Sequence, residues 1–155
     1  MSLSQELLGK LQSFCASRER CTSEVITKLS SLGADQSQIE SIIRELQQGS
    51  FLDDMRYCNT FIRQALEVKK IGKTRIFEYL KAKEIDEQFI SKSLEKITAE
   101  HFKKILIVKI ETEIKKNKSE NNITSSAKII NKLLRDGFEE EDIISSLRIN
   151  FNIEI

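Results

Sequence analysis

Proline and tryptophan are absent from this sequence of 155 residues, and glycine occurs only five times. Without proline, the ends of secondary-structure elements have to be set by glycine and by polar capping residues. Charged residues make up 32% of the chain and aromatic residues only 6%. This composition is typical of α-helices that expose a polar face to water.

Cysteine and histidine are too few and too scattered for common metal or disulfide sites. The three cysteines, Cys15, Cys21 and Cys58, are odd in number and lack CxxC spacing, which argues against a disulfide framework and a zinc site. His101 is the single histidine, and no nucleophile is spaced to work with it. Glycine-rich nucleotide-binding motifs are missing as well. We therefore predict no catalytic residue, no metal and no cofactor, and a binding protein rather than an enzyme.

Net charge and hydropathy argue against several further classes of protein. The net charge is +1, so the chain is not a globally basic nucleic-acid binder. The N-terminus lacks the basic and apolar regions of a signal peptide, and no apolar run reaches the roughly 18 residues that a membrane span needs. We expect a cytoplasmic monomer with no membrane contact.

An apolar pattern repeats three times along the chain. The apolar positions of residues 24–29 recur at 75–80 and again at 128–133. The same offsets carry the register into the next apolar stripe, and each copy holds three stripes at helical spacing. The sequence predicts an all-α fold of three tandem three-helix repeats.

The repeat boundaries are expected after residues 52 and 97, which gives repeats over 1–52, 53–97 and 98–155. Helices that bury only one stripe gain stability by stacking on the neighbouring copy. The expected result is one continuous, elongated and curved helical array. Such an array offers long surfaces for partner binding.

Capping residues mark the turns between the second and third helix of each copy. Gly33 ends one helix, and Asp35 with Gln38 three residues later predicts a capping box that opens the next. Asp86 is the corresponding cap in the middle copy, and Gly137 ends the second helix of the last copy. The turns therefore follow the same repeat.

Residues 105–110 are nearly all aliphatic and β-branched, which by itself would also suit a buried strand. The stretch occupies the place of the first helix in the third copy. A lone strand would leave its backbone groups without partners. We predict a helix here.

Basic residues are concentrated in the middle of the chain. Residues 56–83 carry eight basic residues and two acidic ones. We expect an edge of this segment to contact either phosphates or an acidic protein surface. The candidate partner- or DNA-binding residues are Arg56, Arg63, Lys69, Lys70, Lys73 and Arg75.

Spacing assigns two faces to the helix of this basic segment. Arg56, Arg63 and Lys70 are seven residues apart and therefore follow one helical face. A solvated face with weak ion pairs explains this spacing as well as a binding surface does. The apolar side chains expected to point inward are Tyr57, Phe61, Ala65 and Val68.

A composite motif precedes and begins the same helix. A glycine, an aromatic residue, leucine and two acids stand before an arginine-aromatic-small triplet, over residues 49–58. With shorter matches upstream and downstream, this pattern resembles the RecX family of regulatory proteins. Glu84 departs from it, because many members carry glycine there. The residues that carry the resemblance are Arg20, Asp53, Asp54, Arg56, Tyr57, Gly72, Gly137 and Phe138.

The resemblance implies a function that the residue pattern alone does not. RecX proteins dock along the groove of RecA recombinase filaments and reduce their ATPase, strand-exchange and repressor-cleavage activities. A RecX-like chain would act in DNA repair, DNA recombination and the SOS response. The adjacent acids Asp53 and Asp54 could in principle bind Mg²⁺, but a helix cap is the better interpretation.

Two alternatives to a RecA regulator stay open. A helix-turn-helix array would place residues 72–83 in a DNA major groove. If it contacted three or four phosphates, the logarithm of its DNA affinity would fall with the logarithm of the salt concentration at a slope of about −3 to −4. A helical-repeat adaptor would bind a protein unrelated to recombination. A weak contact with single- or double-stranded DNA is compatible with any of the three.

Overall fold

The computed structural model describes residues 2–117 and 122–155. Over these residues the chain forms nine α-helices and one π-helical turn, and it contains no strand. The predicted all-α fold is confirmed. The helices are α1 (Leu3–Ser17), α2 (Thr22–Ser31), α3 (Gln36–Gln48), α4 (Asp54–Gln64), α5 (Lys73–Ala82), α6 (Glu87–Glu95), α7 (Ala99–Lys116), α8 (Asn122–Arg135) and α9 (Glu140–Phe151), and the π-helical turn is Ala65–Lys69.

Nine helices in this order are compatible with three units of three helices. The chain divides into two compact units, the first formed by Met1–Phe61 and Leu80–Ser93, and the second by Ile62–Tyr79 and Leu94–Ile155. The repeat boundaries after residues 52 and 97 stay a prediction. No helix of the described ranges is long and apolar enough to cross a membrane.

In the first unit, α1, α2 and α3 pack around one core. The side chains of Leu11, Leu29 and Leu46 are completely buried there, one from each helix. Polar caps decide where these helices begin. The Asp35 carboxylate accepts the N–H of Gln38, and the Gln38 side chain accepts the N–H of Asp35, so the predicted capping box is confirmed.

In the second unit, α7, α8 and α9 form a similar bundle. Ile110, Leu133 and Leu147 are fully buried in its core. Residues 105–110 lie within α7, which confirms the helix predicted for this β-branched stretch. Val108 is 41% exposed, because one side of α7 faces solvent.

Left-handed backbone recurs at the three turns that the repeat relates. Gly33, Glu84 and Gly137 have φ angles of 84°, 58° and 94°. Glycine tolerates this conformation, whereas a residue with a Cβ is strained in it. The position where the sequence departs from the RecX pattern is therefore a position whose backbone favours glycine.

The inward stripe predicted for α4 does not continue to its end. Ala65 is buried as expected, but Val68 is 76% exposed. The α-helix gives way after Gln64 to the π-helical turn, whose i to i+5 hydrogen bonds produce a wider turn. The helical register on which the prediction for Val68 rested is therefore lost, and that prediction is wrong.

Candidate functional site

The two acids of the composite motif hold helix ends together. The Asp53 carboxylate accepts the backbone N–H of Arg56 at 3.1 Å and so caps α4. The Asp54 carboxylate accepts both the backbone N–H of Thr22 at 2.8 Å and its hydroxyl at 3.0 Å. Asp54 thereby ties the start of α4 to the start of α2. These contacts explain the acids without a metal ion.

Arg56 lies in an ion pair inside the first unit. Its Nε donates to both carboxylate oxygens of Glu19, at 3.0 and 2.9 Å. An N–H of its guanidinium also donates to the carbonyl of Phe51. Hydrogen bonding to Glu19 raises the pKa of the Arg56 guanidinium.

Arg20 also has a local structural partner. Its guanidinium lies 3.8 Å from the centre of the Phe14 ring, a cation–π contact. Its Nε donates to the carbonyl of Phe14 at 3.1 Å. Arg20 therefore closes the end of α1 against the connection to α2.

Tyr57 is packed into the first unit. Its ring stacks on Phe61 with 6.4 Å between centroids. Burial disfavours the phenolate and raises the pKa of Tyr57 to about 12. The neighbouring Cys58 is fully buried, and burial raises the pKa of its thiol to about 11. A thiol in this state is a poor nucleophile at neutral pH.

The two motif glycines of the second unit lie against each other. The N–H of Gly72 donates to the carbonyl of Asp136 at 2.7 Å, and the N–H of Thr74 donates to the carbonyl of Gly137 at 3.2 Å. A Cβ on Gly72 would overlap the backbone of Gly137, and a Cβ on Gly137 would overlap Arg75. Only glycine at both positions permits this approach.

The turn that contains Gly137 is fixed on its other sides as well. Phe138 is 7% exposed and belongs to the core of α7, α8 and α9. The Asp136 carboxylate binds the ammonium of Lys109 at 2.8 Å and that of Lys132 at 3.6 Å. The start of α5 is therefore anchored on a rigid turn.

Two of the predicted basic residues meet at an aromatic ring. Lys69 at the end of the π-helical turn lies 5.3 Å from the centre of the Tyr79 ring, and the Arg75 guanidinium lies 4.8 Å from it. Arg75 also donates to the Tyr79 hydroxyl at 3.1 Å. Tyr79 itself is 40% exposed. We call Lys69, Arg75 and Tyr79 the Tyr79 cluster.

The other basic candidates are not all part of this cluster. Arg63 and Lys73 are exposed, and Lys73 lines a cavity of about 850 Å³ with residues of α7 and α9. Lys70 is half-buried and left-handed, with a φ of 52°. Arg56 belongs to the first unit through its pair with Glu19. The candidate binding residues of the second unit are Arg63, Lys69, Lys70, Lys73 and Arg75.

Sequence reasoning missed Tyr79 and Val68 as members of this region. Tyr79 is four residues after Arg75 on α5, and this spacing places the two side chains side by side. That signal was present in the sequence. Nothing in the sequence indicated the π-helical turn that exposes Val68.

Metal chemistry finds no support in the described residues, where no group of three or more His, Cys, Asp or Glu side chains could hold an ion. The arrangement instead offers cations beside an aromatic ring and an exposed aliphatic residue. Cationic and apolar groups together are suited to contact with an acidic macromolecular surface.

Two proteins with similar sequences carry the same name. A protein named regulatory protein RecX from Finegoldia magna is 32% identical over 128 residues, covering 81% of this chain and 62% of the relative. Another of that name from Bacillus licheniformis is 25% identical over 139 residues, covering 90% of this chain and 53% of the relative. The chain thus spans less than two thirds of the length of either relative. No family model matches the sequence.

Solved structures share the fold. The crystal structure of RecX from Lactobacillus salivarius has a TM-score of 0.83 at 21% identity and covers 94% of both chains. Another crystal structure of a regulatory protein RecX has a TM-score of 0.84 at 18% identity, over 90% of this chain and 70% of that one. At these identities the solved structures establish only the fold, and the similarity to RecX in sequence comes from the two relatives. Both in sequence and in fold, the chain is similar to regulatory proteins of the RecX family.

Proposed function

We propose that this chain binds RecA recombinase filaments and inhibits their ATPase, strand-exchange and repressor-cleavage activities. The observation that carries the proposal is the family relationship, with 32% identity to a protein named regulatory protein RecX. The proposed role places the chain in the cytoplasm, in DNA repair, recombination and the SOS response. It requires no catalytic group and no cofactor.

The candidate contact region is the basic part of the second unit. Lys69 and Lys70 stand at the end of the π-helical turn, and Arg75 follows on α5. Cations at such a surface accelerate association with an acidic partner and select against basic ones. Arg56 is left out of the contact region, because it already binds Glu19.

The test is titration of the purified chain into RecA polymerised on single-stranded DNA, with ATP turnover as the readout. We expect turnover to fall as the chain approaches stoichiometry with RecA. The double variant Lys69→Glu/Lys70→Glu should need a higher concentration for the same inhibition. Unchanged turnover with the wild-type chain would contradict the proposed function.

The matched control is Lys103→Glu/Lys104→Glu, which makes the same charge change on the exposed surface of α7. It should inhibit like the wild type. Equal losses in both double variants would mean that net charge, and not the position of Lys69 and Lys70, determines binding.

Direct DNA binding is the second candidate, and the position of α5 favours it over the adaptor. Lys73 is the first residue of α5 and Arg75 lies in its first turn, where a recognition helix contacts DNA. Binding of labelled duplex DNA across a salt series tests this. A slope of about −3 to −4 supports phosphate contacts, and a slope near zero removes DNA from the mechanism.

A further inference from the structure

Val68 is an aliphatic residue that the fold turns toward solvent. Its side chain is 76% exposed, more than that of any other large hydrophobic residue in the described part of the chain. Ala65 and Leu66, just before it, are buried. The change from buried to exposed occurs within one turn of the chain.

The backbone around Val68 is unusual on both sides. The N–H groups of Lys70 and Ile71 both donate to the carbonyl of Ala65, so the turn is wider than an α-helical one. Lys70 then takes the left-handed conformation, which is strained for a residue with a Cβ. π-Helical turns and strained residues of this kind concentrate at functional sites.

The chemical surroundings of Val68 are basic. Lys69 and Lys70 follow it directly, and Lys69 contacts the Tyr79 ring that Arg75 also contacts. Glu67 is the only acid between residues 63 and 75. An apolar side chain is thus presented together with several cations.

We propose that Val68 is the apolar anchor of a protein-docking surface that also contains Lys69 and Lys70. Its partner is a protein surface with a small apolar pocket edged by carboxylates. A protein interface can be centred on an aliphatic side chain that fills a pocket inside a polar rim, and complementary charges around it help to select the partner. A nucleic acid fits less well, because a valine offers neither a ring to stack on bases nor a hydrogen bond.

This inference rests on the proposed function, with the RecA filament as the protein that carries the pocket. The π-helical turn positions the anchor, since a continued α-helix would have kept Val68 in the register of the inward stripe. The left-handed Lys70 ends the turn and leads the chain to Gly72, which is fixed on the turn at Gly137.

The experiment measures the concentration of chain that halves ATP turnover of RecA on single-stranded DNA. Val68→Asp places a carboxylate opposite the expected acids, and Val68→Ala only shortens the anchor. The control is Ile149→Asp, because Ile149 is 70% exposed on α9 of the same unit. Thermal unfolding of each variant verifies that it is folded.

We expect Val68→Asp to raise the half-inhibitory concentration at least about tenfold, the effect of losing one strong interface contact. Val68→Ala should raise it about threefold by the same reasoning, and Ile149→Asp should leave it unchanged. Inhibition by Val68→Asp at the wild-type concentration would overturn the anchor while leaving the proposed function intact. A wild-type chain without effect on RecA overturns both. A loss of duplex-DNA affinity in Val68→Asp without a loss of RecA inhibition also overturns the anchor.

Discussion

The backbone N–H of Gly72 donates to the carbonyl oxygen of Asp136 at 2.7 Å, and this bond fixes the start of α5 on the turn between α8 and α9. The two glycines beside it, Gly72 and Gly137, make the approach of the two backbones feasible. A motif glycine that looks like a flexible residue in the sequence is therefore a packing residue in the fold.

Replacement of Gly72 by alanine should destabilise the protein. The added Cβ would overlap the carbonyl of Gly137 and lie 2.6 Å from the nitrogen of Phe138, and overpacking of this kind costs about 1–3 kcal/mol. Urea unfolding measures the loss. Gly9→Ala is the control, because a Cβ at Gly9 meets nothing within 4 Å and alanine favours the interior of α1, with a gain of up to about 1 kcal/mol. Equal stability of the two variants would refute the steric explanation.

Replacement of Glu84 by glycine should stabilise the protein. The left-handed backbone of Glu84 costs about 1–2 kcal/mol for a residue with a Cβ, and glycine would relieve this strain. Glycine also loses more conformational entropy on folding, which offsets about 0.5–1 kcal/mol of the stabilisation. We expect a net increase of about 0.5–1 kcal/mol in the free energy of unfolding.

The midpoint temperature of thermal unfolding should therefore be higher for Glu84→Gly than for the wild type. The same replacement at Glu40, an exposed position inside α3, should lower stability by about 1 kcal/mol. A decrease in both variants would mean that Glu84 makes contacts worth more than its backbone strain.

Arg56→Glu should weaken the fold rather than a partner contact. The change places two carboxylates side by side where Arg56 and Glu19 now form an ion pair at 2.9 Å. The pair is partly exposed, so we expect a loss of about 1 kcal/mol. The double variant Glu19→Arg/Arg56→Glu should recover part of it, as measured by urea unfolding.

Arg63→Glu is the comparison, because Arg63 is exposed on the same helix. It should leave stability within about 0.5 kcal/mol of the wild type. If Arg56→Glu lost RecA inhibition without any loss of stability, Arg56 would be a partner-binding residue after all.

Alkaline pH should destabilise the protein through Tyr57. The pKa of this phenol is near 12 in the folded chain and 10 for an exposed tyrosine, so the folded state holds the proton more tightly. The stability that this provides is complete below pH 10 and is lost as the pH rises from 10 through 12. In Tyr57→Phe, urea midpoints should decline less across that interval. An identical decline in the variant and the wild type would assign the alkaline loss to other groups.

Helix positions and their caps could be predicted from the sequence, because both depend on residues close together in the chain. The capping box of Asp35 and Gln38 and the helical state of residues 105–110 are examples. The π-helical turn could not be predicted in this way, because its hydrogen bonds differ from those of an α-helix by a single residue and leave no distinct spacing. The prediction for Val68 was wrong for that reason.

The candidate site was predicted only in part. Local charge pointed to Lys69, Lys70 and Arg75, but a count of charges does not reveal which cations already have partners. Glu19 is 37 residues from Arg56 in sequence, and its carboxylate forms an ion pair with the Arg56 guanidinium. A pairing over such a distance depends on where α1 ends and where α4 begins, not on either helix alone.

The sequence by itself determined the helices, their capped ends and the resemblance to the RecX family, because helical periodicity, capping and motif spacing are properties of neighbouring residues. The tertiary structure alone decided that Gly72 packs on Gly137, that Arg56 binds Glu19 and that Val68 faces solvent. Each of these depends on the positions of backbone segments far apart in the chain or on one additional residue in a helical turn. The spacing of residues in the sequence does not reveal how far apart such segments lie in space, because the packing of the whole chain determines those distances.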